Sequence, residues 1–470
     1  MKKRCLGMIL VSILIITLAG CGTEVSNTAE SNHSAAPTEE TPAEPGSEEV
    51  TEVPASGEAT EEPVSEEETE EAVSEESTES RVSDEGEEEE GEYKESGDTG
   101  EMKQAINEFS RKLYNEYGKE DNLFFSPFSI CSAIALSELA AKGETAEGIN
   151  KALSIKDFDA FKAGMKSFYN REQKKSAYFK TANGLFIDKS LKLSPDYEEK
   201  FKKPADEYFD GEFRQVDFRD TDSTRKEITD WVNDATEGMI PDYQAGAGKG
   251  TVADILNAVY FYGEWQYSFS HDDTWEESFH GKDKDSVIEM MHMDDISLRY
   301  FSDKDGLKAV ALPYKDSSYE MDLIMYTDPE KKDLSSVFEE ASPSDILDRL
   351  ESAEKTELGA LVIPKFKQDL TLSGLKEVLS DLGMGTAFSA DADFSNLSED
   401  VCITDICHRA VIEVDEEGSR AAAVTEMMMG LTSLPEDEPK EEFIADRPFV
   451  YIIRDRESGV ILFMGRFSTP

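Results

Sequence analysis

The sequence predicts an α+β domain, from about residue 101 to Pro470, behind two N-terminal segments of different character. Three observations lead there. Apolar strand-like runs and amphipathic helical stretches are interspersed after residue 101 without a strict strand–helix–strand rhythm. Composition shifts sharply near residue 100. The first 21 residues read as an export segment.

The helical and extended elements are justified in turn. Met102, Ile106, Phe109 and Leu113 recur at helical spacing and mark a helix at the domain start. A second helix is expected from Ser129 to Lys142, after a Ser-Pro turn and before Gly143. A third runs from Leu372 to Leu382, with Leu375, Leu379 and Leu382 on one face. Strands are expected at Ile255 to Phe261, Leu307 to Leu312, Met321 to Tyr326, Leu358 to Ile363, Ala410 to Val414, Phe449 to Ile453 and Val460 to Met464.

Ahead of the domain, Met1-Lys2-Lys3-Arg4 is a basic start, and Met8 to Leu18 is an apolar core short for a membrane span. The core ends in Leu18-Ala19-Gly20-Cys21, which resembles the cleavage box of bacterial lipoproteins. That resemblance implies residues 1–21 as a signal ending at a lipidated Cys21, and hence a protein anchored to the membrane at the bacterial cell surface. Residues 22–100 carry 28 acidic and 2 basic side chains and almost no aromatics. Such a Glu/Ser/Thr/Pro-rich segment buries too little apolar surface to fold and is expected to be a disordered spacer. A neutral chain of that length would average about 50 Å end to end, and self-repulsion extends it further.

The net charge of −54 excludes nucleic acid as a partner class. Setting aside Cys5 and Cys21, an odd set remains, Cys131, Cys402 and Cys407. Buried thiols are expected, with a Cys402–Cys407 bridge as the alternative. The domain offers no nucleophile elbow and no phosphate-binding glycine motif. His271, His280 and His292 match no metal-ligand spacing, and Asp391-x-Asp393-x-Ser395 lacks the later positions of a calcium loop. Loop or capping roles suit those side chains better. No catalytic constellation, metal site or cofactor is expected.

The most informative stretch follows the last central strand. Asp415-Glu416-Glu417-Gly418 breaks it, and Ser419-Arg420-Ala421-Ala422-Ala423-Val424-Thr425 then replaces the charge of an ordinary loop with small side chains. Counting by twos, Ser419, Ala421, Ala423, Thr425, Met427, Met429 and Leu431 are all small or apolar, while both charges, Arg420 and Glu426, fall in the other set. That alternation suits a half-buried strand. A flexible loop and a helix remain open on this stretch alone.

From residue 101 onward the chain resembles the serpins. The motifs, in order, are Asn122-Leu123-Phe124-Phe125-Ser126-Pro127-Phe128-Ser129-Ile130, Gly143-x-Thr145, Ile228-x-x-Trp231-Val232, and Leu256-Asn257-Ala258-Val259-Tyr260-Phe261-x-Gly263-x-Trp265. Leu312-Pro313-Tyr314, Ile363-Pro364-Lys365-Phe366, Ala392-Asp393-Phe394-Ser395, His408-Arg409-Ala410, Asp446-Arg447-Pro448-Phe449 and Leu462-Phe463-x-Gly465-Arg466 complete the series. The resemblance implies the serpin fold: three β-sheets, about eight or nine helices and an exposed reactive-centre loop.

It also implies roles. Glu416 to Thr425 would be the hinge of that loop, Ser126, Ser129, Asn257 and His408 a hydrogen-bonded shutter beneath the main sheet, and Trp265 the breach where insertion begins. Tyr262 stands where the family commonly has lysine, which puts in doubt a salt bridge at the top of the sheet. The implied activity is not enzymatic. A serine protease would cleave the loop, become acylated and be trapped as the freed segment enters the sheet. The reactive bond is placed at Thr432-Ser433, with Leu431 and Leu434 as alternatives. These residues suit elastase-, subtilisin- or chymotrypsin-like proteases rather than trypsin-like ones. The resemblance leaves open a non-inhibitory binding module and inhibition of papain-like cysteine proteases. The domain is expected to act as a monomer.

Overall fold

Alternating or continuously apolar runs underlie many of this chain's fifteen strands, and apolar stripes at helical spacing most of its nine α-helices, among the described residues. The structure, a computed structural model, describes residues 8–20, 99–171, 177–236, 238, 250–328, 332–416 and 440–470. The spacer, Cys21, the hinge residues Glu417 to Thr425, and Leu431, Thr432, Ser433 and Leu434 lie outside the described residues.

One sheet has six strands: β1 (Met8–Gly20), β3 (Ala177–Asp188), β4 (Gly211–Val216), β5 (Thr251–Gly263), β11 (Phe366–Leu372) and β12 (Val401–Val414). Their spatial order is β11-β12-β1-β5-β3-β4. A second sheet holds β6 (Thr274–His280), β7 (Asp285–Ser302), β10 (Lys355–Pro364) and β13 (Glu441–Ile444). The third holds β8 (Leu307–Pro313), β9 (Tyr319–Tyr326), β14 (Phe449–Asp455), β15 (Ile461–Phe467) and β2 (Leu123–Phe125). The far end of β7 also pairs with β8, from Tyr300 to Ser302, and so joins the second sheet to the third. This is the α+β, three-sheet architecture that the motif series implies.

The helices are α1 (Gly100–Glu116), α2 (Pro127–Glu138), α3 (Gly143–Ala152), α4 (Phe158–Tyr169), α5 (Lys203–Phe209), α6 (Thr221–Ala235), α7 (Val337–Glu340), α8 (Pro343–Glu351) and α9 (Leu375–Leu379). Of these, α2 is apolar nearly all round, and every one of its residues is buried. It starts two residues before the expected Ser129, because Ser126 caps it and Pro127 fits its first turn. It ends at Glu138, short of Lys142; Lys142 is extended and Gly143 takes a positive φ of 51° to begin α3. The helix expected from Leu372 starts only at Leu375, because Leu372 closes β11 and Gly374 turns the chain with φ 68°.

Two apolar layers sandwich the six-stranded sheet. On its inner face Phe128, Phe179, Val259, Phe261 and Ile16 join the main core. On its outer face Ile228, Trp231 and Val232 of α6 cover Phe186, Leu256, Ala258, Ile13 and Ile15. Each expected strand lies within, or within one residue of, an observed one. Several others carry no clean alternation and were not expected, among them β3, β7 and β1.

β1 is the segment that reads as an export signal's apolar core. Its Ile, Val and Thr residues are as suited to an extended chain as to a helix. A strand with sheet on both sides and apolar layers on both faces must be mostly apolar, which this segment is but for Ser12 and Thr17. It runs antiparallel to both neighbours, from Ile9 opposite Glu413 and Met8 opposite Gly263 to Gly20 opposite Val401.

The cysteines depart from expectation at two positions. Cys402 is disulfide-bonded. Cys131 is free and buried, but Cys407 is free and exposed, so no Cys402–Cys407 bridge forms. The pleat of β12 explains it: Ile406, His408 and Ala410 turn into the core, while Asp405 and Cys407 face away.

Candidate functional site: the gate of the six-stranded sheet

The residues singled out by the motif series converge on the seam between β5 and β12. At its upper end β12 runs out through Asp415 and Glu416. Trp265, just past β5, is buried and stacked on Tyr314 with ring centroids 4.6 Å apart and planes 9° from parallel. Its indole Nε1 donates to the Asp415 carbonyl at 3.1 Å, which pins the end of β12. The Glu416 carboxylate is nearly fully buried, accepts from Lys365 Nζ at 2.8 Å and lies 3.4 Å from His271 Nδ1. Burial would push this carboxyl up. The Lys365 ammonium, the Glu416 N–H and the Thr274 hydroxyl outweigh it and hold it below the usual carboxylate range.

The doubt raised by Tyr262 is therefore resolved. A salt bridge does stand at the top of the sheet, supplied by Lys365 directly before β11. Tyr262 instead stacks on Tyr178 and donates its hydroxyl to Glu264 at 2.9 Å. Lys365 was visible only as part of the Ile363-Pro364-Lys365-Phe366 motif, with nothing local to tie it to Glu416.

Midway down the seam lie the polar residues. The Ser126 backbone N–H donates to His408 Nε2 at 3.1 Å. Ser126 Oγ donates to the Leu462 carbonyl at 2.7 Å and accepts from the Ser129 N–H at 3.1 Å. An Nε2 that accepts fixes the imidazole as neutral with its proton on Nδ1. Burial alone holds this histidine at about 3, far below its usual 6.5.

Asn257 does not join that group. Its amide donates to Asn183 Oδ1 at 2.9 Å and to Thr181 Oγ1 at 3.2 Å, both on β3. Asn183 continues the chain to the Phe209 carbonyl and to Tyr169, whose hydroxyl lies 2.6 Å from Ser132 Oγ. The expected four-residue shutter is thus two clusters. The reason is geometric: Leu14 of β1 stands opposite His408 on one side and Asn257 on the other. Two strand spacings, about 9.5 Å, separate their backbones. The Asn257 Oδ1 and Ser129 Oγ atoms are buried without a hydrogen-bond partner among the described residues. The motif series gave no sign of Asn183, Thr181 or Tyr169.

His280 and His292 lie elsewhere. His280 is 3.1 Å from Asp285, and His292 stacks on Trp275 at 3.8 Å between centroids. Asp393 accepts from the Ser395 N–H at 3.1 Å, a loop role. Among the described residues no group of three or more His, Cys, Asp or Glu side chains is placed to hold a metal ion.

Known proteins share this architecture. The family model for serpins, serine protease inhibitors, matches residues 104–470. An uncharacterized serpin-like protein of Thermococcus kodakarensis is 32% identical over 384 residues, spanning 80% of this chain and 87% of its own. The leukocyte elastase inhibitor of Bos taurus is 32% identical over 386 residues, spanning 79% of this chain and all of its own. Among solved structures, a highly specific serpin of the insect Tenebrio molitor superposes with a TM-score of 0.64 at 26% identity, covering 79% of this chain and 98% of that one.

Two predictions follow from the seam's chemistry. The unfolded chain takes up a proton on His408 near pH 6.5 that the folded chain refuses until about pH 3. Stability from this site is therefore complete above pH 6.5 and lost as pH falls toward 3. Urea midpoints measured from pH 7.5 to 4 should fall more steeply for the parent than for His408→Gln. Separately, Lys365→Met strands the buried Glu416 carboxylate and should cost about 1–3 kcal/mol. Adding Glu416→Gln should restore part of it, as read from a double-mutant cycle of urea midpoints.

Proposed function

The chain belongs to the serpin family, and we propose that it is a suicide inhibitor of serine proteases that cleave after small or medium apolar residues. The observation that carries this reading is the slot between β5 and β12. These two strands run parallel and are spaced to take one further strand antiparallel to both. The chain leaving the upper end of β12 at Glu416 leads directly into the hinge, whose small residues are what such a slot admits.

On this reading the loop is offered to a protease as substrate. The protease serine attacks the carbonyl of the reactive bond, assigned to Thr432-Ser433, forming an acyl-enzyme and releasing Ser433 as a new N-terminus. The segment from Ser419 then enters the slot, gaining backbone hydrogen bonds on both edges and carrying the acylated protease along. Distortion of the protease's oxyanion hole and triad stalls deacylation. Ser419, Ala421 and Ala423 fit because their side chains must pass into the core face. Arg420 and Glu426 fall on the alternate positions. The reactive bond offers no Arg or Lys, which favours elastase-, subtilisin- or chymotrypsin-like targets, and the name of the bovine relative agrees with an elastase-like one.

An N-terminal lipid at Cys21 and the acidic spacer would hold the domain at a bacterial surface, supported by the Leu18-Ala19-Gly20-Cys21 box. Cys21→Ala should move the protein from the membrane to the soluble fraction of cells that export it; unchanged membrane association would refute the lipid assignment.

The inhibition itself is tested with pancreatic elastase and subtilisin. The exported, processed protein should form an SDS-stable complex, and mass spectrometry of the released fragment should begin at Ser433. Ala421→Arg drives an unpaired charge toward the core, a cost well above the ~1.4 kcal/mol that corresponds to a tenfold change. It should shift the outcome from trapped complex to cut inhibitor. Cleavage of the parent without any covalent complex would defeat the proposal.

A further inference from the structure

The slot that the proposed mechanism requires is already filled, and its occupant is the chain's own N-terminal segment. β1 has 13 residues, as many as Ser419 to Leu431 of the loop. It runs antiparallel to β12, the direction in which a segment folding back from the end of β12 must run. Its pairing extends along the whole seam, from Ile9 opposite Glu413 to Gly20 opposite Val401, in one register as far as Thr17 and with a bulge between Thr17 and Leu18.

Side chains match the slot as well as backbone does. Ile13 and Ile15 are buried under α6 beside Leu256 and Ala258, while Ile16 turns the other way into the main core and is fully buried. Thr17 stands opposite both Asp254 of β5 and Asp405 of β12, the acidic residues that flank the slot's lower part. Its side chain hydrogen-bonds to the buried Asp254, and its carbonyl accepts from Thr404 Oγ1 at 3.2 Å. Thr17, one of two hydroxyl residues (with Ser12) in a mostly aliphatic run, thus meets the polar positions of the seam, which favours the register of the segment up to Thr17.

We propose that residues 8–20 are an internal plug: while they occupy the sheet the chain is stable and unable to trap a protease, and their withdrawal arms it. This rests on the trapping mechanism proposed above for its functional meaning, but not for the occupancy itself. Two strands cannot share one pair of edges, so the loop enters only after β1 leaves. Removal of the segment during export would couple arming to arrival outside the cell, and would keep the unexported chain inert. The split polar clusters fit the plugged state, since β1 is what holds Asn257 apart from His408.

The test uses the full chain, expressed without export so that residues 1–20 are retained, and the same chain carrying Ile16→Asp. The unsubstituted chain should form no SDS-stable complex with elastase or subtilisin. Its melting temperature should not rise after elastase cuts the loop, because the slot is full. Amides of Ile13 to Thr17 should be protected from hydrogen exchange. Ile16→Asp should lower the melting temperature, restore a rise on loop cleavage, and form complex at least tenfold faster.

Equal trapping rates and equal melting temperatures for the two chains would overturn the plug. So would exchange of the Ile13 to Thr17 amides at the rate of an unstructured peptide, a reading that needs only the unsubstituted chain and holds even if the variant fails to fold. If those amides are protected and the variant gains stability on loop cleavage, yet neither chain traps a protease, the plug stands and the trapping reading falls.

Discussion

Everything at the seam follows from one constraint: β5 and β12 run parallel, one strand apart, and their facing edges carry backbone donors and acceptors that must be paired. Pairing them through an intervening strand demands an extended segment, antiparallel to both, with no large charged group on the core face. Apolar layers close over both faces of the sheet, α6 on one side and the main core on the other. An occupant therefore has to be compatible with both. The chain contains two such segments, the N-terminal aliphatic run and the small-residue loop after β12, and the sheet accommodates one.

That competition gives the polar residues beneath the sheet their meaning. His408 is held neutral and ties β12 to the start of α2 through Ser126, whereas Asn257 is tied to β3 through Asn183 and Thr181. Each half of the seam is thus anchored to its own side. A strand passing between them breaks no hydrogen bond within either half, while Asn257 Oδ1 and Ser129 Oγ stay without a hydrogen-bond partner among the described residues. Such orphaned atoms cost free energy, which the backbone pairing and aliphatic burial of the occupant offset. At the top, Trp265 and Lys365 grip Asp415 and Glu416 at the point where the chain leaves β12. The clasp fixes the point from which the loop departs, whichever segment fills the slot.

Much of this was legible in the sequence, and the limits have physical causes. The strands that alternate or run continuously apolar, such as Met321 to Tyr326 and Phe449 to Ile453, announce themselves because burial dictates their pattern. β7 does not, because its 18 residues serve two sheets and its exposed stretches carry acids. Trp265, His408 and Ser126 were readable through motif order, yet their partners were not. The Trp265 contact is to a backbone carbonyl, which carries no residue code, and Lys365 and Glu416 are 51 residues apart in sequence. Asn183 sits in a strand whose alternation is interrupted by Thr181, Ala182 and Gly184, so nothing local singles it out.

The N-terminal run shows the deepest ambiguity. An aliphatic stretch of Ile, Leu and Val satisfies a bilayer, a translocation channel and the centre of a twice-covered sheet for the same reason, since each removes apolar surface from water. Hydropathy cannot separate these fates; only the availability of a partner with unpaired strand edges does. In this chain the partner is intramolecular, which makes pairing independent of concentration. The pleat, with Ile13 and Ile15 on one face and Ile16 on the other, satisfies both apolar layers, and Thr17 hydrogen-bonds to Asp254 at the last position before the register shifts. A membrane-bound or channel-bound segment needs no such register. The match at Thr17 is therefore the feature that distinguishes a fitted strand from a merely apolar one.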